Sequence, residues 1–273
     1  MTAHVQRQRF DLYAAGHRLH AERLFPTHAA AGSTLVFLHE GLGSIGQWRD
    51  FPAQLCARTG LPGLVYERWG FGRSDPLIGP RPKDYLHQEA KITLPEVLAA
   101  CEIMEPPILF GHSDGGSIAL LFVAAYPDRV RAVISEAAHV FVEEVCLAGI
   151  RVARAAYRHG NLRDGLRRYH GANTDSMFRG WCDTWLRPDY RDWNMEAELS
   201  RITCPALIIQ GEADEYGARA QVDAIAAGIS GSAEVLWLPD CAHVPHHQAR
   251  DRVLDAAGRF ISEVCAKLCV IQP

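Results

Sequence analysis

A chain of 273 residues, 48% hydrophobic and 22% charged, has the make-up of a soluble globular protein with a sizeable core, and one domain with room for an insertion is expected. Its formal charge of -4 and pI near 6.3 give no basic footprint for a polyphosphate backbone, which argues against nucleic acid as a partner. Residues 1–10 are polar where a signal peptide would be apolar, and no apolar run has the length of a membrane span, so a cytoplasmic protein without membrane contact is expected. In chain order, runs at 10–13 and 18–25 meet at Ala15-Gly16 and predict an antiparallel hairpin. Six further strands follow at 34–38, 63–66, 107–110, 130–135, 206–210 and 234–238, most of them unbroken apolar runs such as Leu35-Val36-Phe37-Leu38. Helical periodicity occupies 48–58, 85–104, 115–126, 218–227 and 245–264 between them. The fold class is therefore α/β, a mostly parallel eight-stranded sheet with helices on both faces. From 139 to 200 the pattern turns helical and arginine-rich without a strand, and predicts a helical cap inserted into a core made of 1–138 and 201–273. The eight cysteines form no CxxC pair and read as buried thiols in a reducing compartment.

The decisive motif is Gly111-His112-Ser113-Asp114-Gly115, set between an apolar strand and a helix. A serine on such a turn has a strained backbone, and the positions two before and two after it must be small. The helix that starts at Asp114 aims its free amides and positive dipole end at the serine, which suits developing negative charge. Ser113 is the candidate nucleophile, and the Asp114 amide a candidate oxyanion donor. A hydroxyl needs a base, and His243, emerging from the end of strand 234–238, is best placed. His246 and His247 fall on the first turn of the next helix; His-x-x-His-His has no carboxylate or cysteine beside it, so no metal is expected, and no cofactor is needed. Asp214, just past strand 206–210, is the candidate acid that holds the imidazole; its neighbour Glu215 and the post-strand Glu136 are competitors.

Taken together, the loop His39-Glu40-Gly41-Leu42-Gly43-Ser44, the turn Glu67-Arg68-Trp69-Gly70-Phe71-Gly72-Arg73-Ser74, the elbow, Asp214 and His243 resemble the α/β-hydrolase superfamily over essentially the whole chain, and within it the capped small-molecule hydrolases: carboxylesterases, lactonases and carbon–carbon bond hydrolases. The resemblance implies the order serine, acid, histidine, and some members place the acid where Glu136 stands. By register with the His-Gly-Gly-Pro-Gly loops of related hydrolases it makes the Gly41 amide the second oxyanion donor. Glu40 and Leu42 depart from that loop, which keeps Leu42 open as donor; Glu40 reads as a solvent-facing loop residue. A serine, not an aspartate, at 113 argues against dehalogenase and epoxide hydrolase chemistry.

In the cap, Phe178, Trp181 and Trp185 recur at helical spacing and share a face that can line a substrate pocket, with Leu42, His139 and Val140 at its border. Arg151, Arg154, Arg158 and Arg179 read mostly as exposed surface. The expected activity is hydrolysis of an ester or lactone of a small apolar substrate through an acyl-enzyme. Carbon–carbon bond cleavage on the same triad and a slow, receptor-like ligand binder are the alternatives, and a homodimer is open.

Overall fold

The computed structural model describes residues 4–28 and 32–269. Strands β1 (Val5–Ala14) and β2 (His17–Pro26) pair antiparallel about Ala15 and Gly16, whose φ values of 51° and 77° make the two-residue turn that a twisted hairpin favours. β2 then pairs antiparallel with β4 (Gly63–Tyr66). β3 (Leu35–Leu38), β4, β5 (Ile108–His112), β6 (Ala132–Glu136), β7 (Ala206–Gly211) and β8 (Ala233–Leu238) run parallel, in the sheet order β1-β2-β4-β3-β5-β6-β7-β8.

The unbroken apolar runs are explained by burial on both faces. Leu35, Phe37, Phe110 and Ile134 point to one side, against Phe51 and Leu55 of α1 (Phe51–Thr59) and Val253 and Phe260 of α11 (Arg250–Cys269). Val36, Leu38, Leu109 and Val133 point to the other, where α2 (Tyr85–Gln88), α3 (Leu94–Ala100) and α4 (Asp114–Ala125) pack. α4 is buried from Asp114 to Ala124 and has no polar stripe, as a helix covered all round requires.

Four helices lie between β6 and β7: α5 (Glu144–His159), α6 (Leu162–His170), α7 (Thr174–Leu186) and α8 (Glu196–Leu199). Met177, Phe178, Trp181 and Trp185 of α7 join the apolar cluster on the α4 side of the sheet. The two ends of this segment meet at a neck: Met195 N donates to Val140 O at 2.8 Å and Val142 N to Trp193 O at 3.2 Å. The rest of the order continues with α9 (Arg219–Gly228), β8 and α10 (Pro245–Gln248).

Several boundaries differ from the sequence expectation: β1 begins at Val5 where 10 was expected, and α1 at Phe51 where 48 was expected. The helix predicted over 85–104 is interrupted by a wide turn at Glu89–Thr93 and stops at Ala100. Pro95 has no N–H and crowds the carbonyl four residues back, and that carbonyl, on Lys91, accepts the Tyr126 hydroxyl at 2.9 Å instead. The helix over 245–264 breaks at Ala249. β5 and β6 run on to His112 and Glu136, which carries both side chains to the sheet end where the functional residues gather. Among the described residues no helix is long and apolar enough to cross a membrane. Cys56, Cys101, Cys146, Cys182, Cys204 and Cys241 are buried thiols.

Candidate active site

Ser113 sits between β5 and α4 with φ 53° and ψ -117°, a conformation that L residues avoid unless their surroundings impose it. Its amide donates to Glu136 O at 2.8 Å, which ties the elbow to β6. A Cβ on Gly111 would come within 2.1 Å of Gly115 O, and one on Gly115 within 1.9 Å of Leu38 O, so the crowding expected at these two positions is real.

Ser113 Oγ lies 2.9 Å from His243 Nε2, and His243 Nδ1 is 2.9 Å from each carboxylate oxygen of Asp214. Asp214 also accepts Gln210 Nε2 at 2.7 Å and the amides of Tyr216 and Gly217 at 2.8 and 3.1 Å. Burial works against an imidazolium at His243, but the adjoining Asp214 carboxylate outweighs it and raises the His243 pKa above the ordinary value. Burial works against the Asp214 carboxylate too; the histidine and the donors prevail and hold its pKa low. Such a chain can take the proton of a hydroxyl onto imidazole and hold the charge there.

Asp214, not Glu136, meets the histidine. Glu136 is fully buried, with its pKa pushed up to about 7 by burial, and its Oε2 accepts His246 Nδ1 at 2.5 Å. Glu215 meets His243 only through its main chain, accepting the amide at 3.3 Å. His112, Glu136 and His246 form a buried group whose possible metal-ligating atoms all lie within 4.8 Å of one another. His-x-x-His-His thus does have a carboxylate beside it, supplied by Glu136 from 110 residues away in sequence. His246 Nδ1 and Glu136 Oε2 are in direct hydrogen-bond contact, whereas two ligands on one tetrahedral zinc, each about 2.1 Å from it, would stand roughly 3.4 Å apart.

The loop that carries Gly41 is held by a buried arginine. Arg68, 1% exposed, donates from Nη2 to Glu40 O at 2.7 Å and His39 O at 3.2 Å, which fixes the main chain just before Gly41. Its Nη1 lies 3.5 Å from Asp114 Oδ2, which also accepts the Tyr85 hydroxyl at 2.8 Å; Trp185 Nε1 donates to that hydroxyl at 2.9 Å. The Leu42 amide is turned to the Glu40 carboxylate at 3.4 Å, an arrangement that favours Gly41 over Leu42 as donor. Glu40 is thus not a solvent-facing loop residue. It is half-buried on the wall of the active cavity, and burial raises its pKa.

The cavity over Ser113 measures about 200 Å³. Leu42, His139, Trp181 and Trp185 line it as expected; Val140 and Phe178 do not. Val140 is wholly buried, its amide bonded to Gln221 Oε1 at 2.8 Å. Phe178 shares the face of Trp181 but stacks on Tyr157 of α5, with ring centroids 3.7 Å apart. Helical spacing defines a face without saying what it meets. Cys146 and Ile150 of α5, and Glu215, Tyr216 and Val244 beside the base, also line the cavity; only their proximity to the motif residues hinted at the last three. Arg151, Arg158 and Arg179 are exposed and Arg154 half-exposed, all outside it. A larger cleft, about 620 Å³, lies between 77–81 and the opposite face of α7, and contains none of Ser113, Asp214 and His243.

This sheet order, with a strained serine elbow and a histidine–carboxylate pair on the following loops, defines a hydrolase of the α/β type. Residues 35–256 match the model of the alpha/beta hydrolase family, and the chain belongs to that family. It is 28% identical to human serine hydrolase BPHL over 242 residues, covering 84% of this chain and 80% of that protein. Over 221 residues it is 20% identical to the 2-hydroxy-6-oxononadienedioate/2-hydroxy-6-oxononatrienedioate hydrolase of Comamonas testosteroni, covering 71% of this chain and 76% of the other. A thermophilic esterase from Thermogutta terrifontis superposes with a TM-score of 0.72 at 18% identity, over 94% of this chain and 99% of that one, a likeness of fold.

Proposed function

We propose that this is a serine hydrolase that cleaves the ester or lactone bond of a small, uncharged or cationic substrate through an acyl-enzyme on Ser113. The carrying observation is the unbroken chain Ser113 Oγ, His243, Asp214 at 2.9 Å a step. His243 takes the Ser113 proton as Oγ attacks the carbonyl carbon, and the amides of Gly41 and Asp114 hold the oxyanion. Collapse of the tetrahedral adduct expels the alcohol, which receives the proton from His243; water, deprotonated by the same ring, then releases the acid and restores the serine.

A cavity of about 200 Å³ suits a short acyl or alcohol part, and Trp181, Trp185, Tyr216 and Ile150 offer it apolar surface. Its lining has no lysine or arginine and includes Glu40 and Glu215, which favours an ester over a dicarboxylate such as the C. testosteroni enzyme's name denotes. The helices between β6 and β7 act as the cap in this reading, since Trp181 and Trp185 of α7 and Cys146 and Ile150 of α5 line the cavity over Ser113. A cytoplasmic location completes the proposal.

The test is a panel of short and long aryl esters, lactones and amides with wild type and Ser113→Ala. Ser113→Ala lowers kcat on the preferred ester about 10⁴-fold or more at unchanged fold. Near-normal steady-state turnover in the variant refutes the nucleophile, and a single labelling event without turnover in wild type refutes the enzyme.

A further inference from the structure

Ser113 and His243 are 130 residues apart in sequence and arrive from different loops, yet proton transfer needs their 2.9 Å contact held closely. The His243 ring is oriented by Asp214, so something must also fix the main chain from which the ring hangs. On its amide side the partner is Glu215, an exposed residue, at 3.3 Å. On its carbonyl side the partner is His112, the residue just before the nucleophile: His112 Nε2 lies 2.7 Å from His243 O, both residues buried.

The His112 ring is itself seated. His112 is the register partner of Glu136 across β5 and β6, and its ring meets that of His246 edge-on with centroids 4.9 Å apart. His246 is in turn hydrogen-bonded to Glu136 and packs on Trp48 and Phe51, with centroids 4.5 and 5.4 Å away. None of His112, Glu136 and His246 lines the active cavity, so the chemistry proposed above leaves all three without a task.

We propose that His112 is a positioning residue: its Nε2–H, bonded to the main-chain carbonyl of His243, sets the separation of nucleophile and base, and the Glu136–His246 pair seats its ring. The inference rests on the assignment of Ser113 and His243 made above. A carbonyl accepts only, so His112 must carry its proton on Nε2. Burial drives its pKa down to about 3, which keeps the ring neutral and leaves Nδ1 bare. The elbow and the base loop are thus joined at two points, side chain to side chain through Ser113 and side chain to main chain through His112.

Two measurements on the full chain test this. Long-range ¹H–¹⁵N spectra of the wild-type histidines, with His112 identified by its loss in His112→Gln, should show a neutral Nε2–H tautomer from pH 5 to 8; the Nδ1–H tautomer overturns the proposal. His112→Phe fills the space without a donor, whereas His112→Gln puts an amide NH₂ near the place of Nε2. With a short aryl ester, His112→Phe should lower kcat and the rate of fluorophosphonate labelling of Ser113 about ten- to a hundredfold at a KM within about twofold, and His112→Gln should recover most of both rates. Equal losses in the two variants, or wild-type labelling in His112→Phe, overturn it. So does one equivalent of zinc in the purified protein that is lost on Glu136→Gln. If His112→Phe fails to fold, the wild-type tautomer decides. Full activity in Ser113→Ala would instead undo the nucleophile and leave the tautomer result standing.

Discussion

Placing alanine at Gly41 probes the oxyanion loop and the cap together. The backbone there is outside the left-handed region, so alanine meets no conformational penalty, only a lack of space. Its Cβ would stand 2.3 Å from Trp181 Nε1 and 2.4 Å from Trp181 Cδ1, where an ordinary contact is about 3.5 Å. Either the loop or the indole must yield by roughly 1 Å, and Trp181 is only 8% exposed. A 1 Å misplacement of a catalytic donor costs about a hundredfold, or about 2.7 kcal/mol at 1.36 kcal/mol per tenfold. The overpacking itself costs about 1–3 kcal/mol of stability, a fall in Tm of several degrees. Steady-state and burst kinetics on a short aryl ester should show the loss in kcat, carried by the acylation step. Because the clash is with one side chain, Gly41→Ala/Trp181→Ala should be faster than the two single effects predict, with a coupling above about 1 kcal/mol. A kcat within threefold of wild type in Gly41→Ala, or strict additivity in the double variant, refutes the reasoning.

His243 must be neutral to accept the serine proton, and its pKa is raised; kcat/KM should therefore fall as pH drops through a value above 6.5, and Asp214→Asn should move that acid limb down while lowering kcat about 10³- to 10⁴-fold, read from pH–rate profiles. Glu136 is raised by burial from 4.5 to about 7, so the folded state favours its protonated form. Stability from this group is whole below pH 4.5 and declines through about pH 7 by at most about 3 kcal/mol; Glu136→Gln should gain Tm over wild type more at pH 8 than at pH 5 by scanning fluorimetry. Phe178→Ala should cost about 3–5 kcal/mol of stability in denaturant titrations with KM unchanged, while Trp181→Ala should shift KM and chain-length preference.

The elbow and the meeting of Ser113, His243 and Asp214 were legible because each residue rests on local chain order: a strand, a tight turn and the residue that follows. The continuous runs gave the strands for the same reason, as residues buried on both faces leave no polar alternation to misread. What stayed hidden depends on partners distant in sequence. Nothing near Glu136 announces His246, and nothing near Phe178 announces Tyr157, so Glu136 stood as a competitor to Asp214 for the acid and Phe178 as a pocket wall. Glu40 was misplaced for the opposite reason: loop glutamates usually face water, and the packing that buries this one comes from the cavity wall. The chain from Trp185 through Tyr85 and Asp114 to Arg68 joins four separate elements, and no spacing rule finds it.

The neck at Val140–Met195 and Val142–Trp193 has an evolutionary consequence. The polypeptide departs from the sheet and rejoins it at almost the same point, so everything between forms a closed detour whose length the strands never sense. A shorter, longer or foreign lid could be spliced at these two crossings while Ser113, Asp214 and His243 keep their positions. On the proposed role of these helices as a cap, selection can therefore exchange the walls that Trp181 and Trp185 give the cavity without rebuilding the loops that carry Ser113, Asp214 and His243.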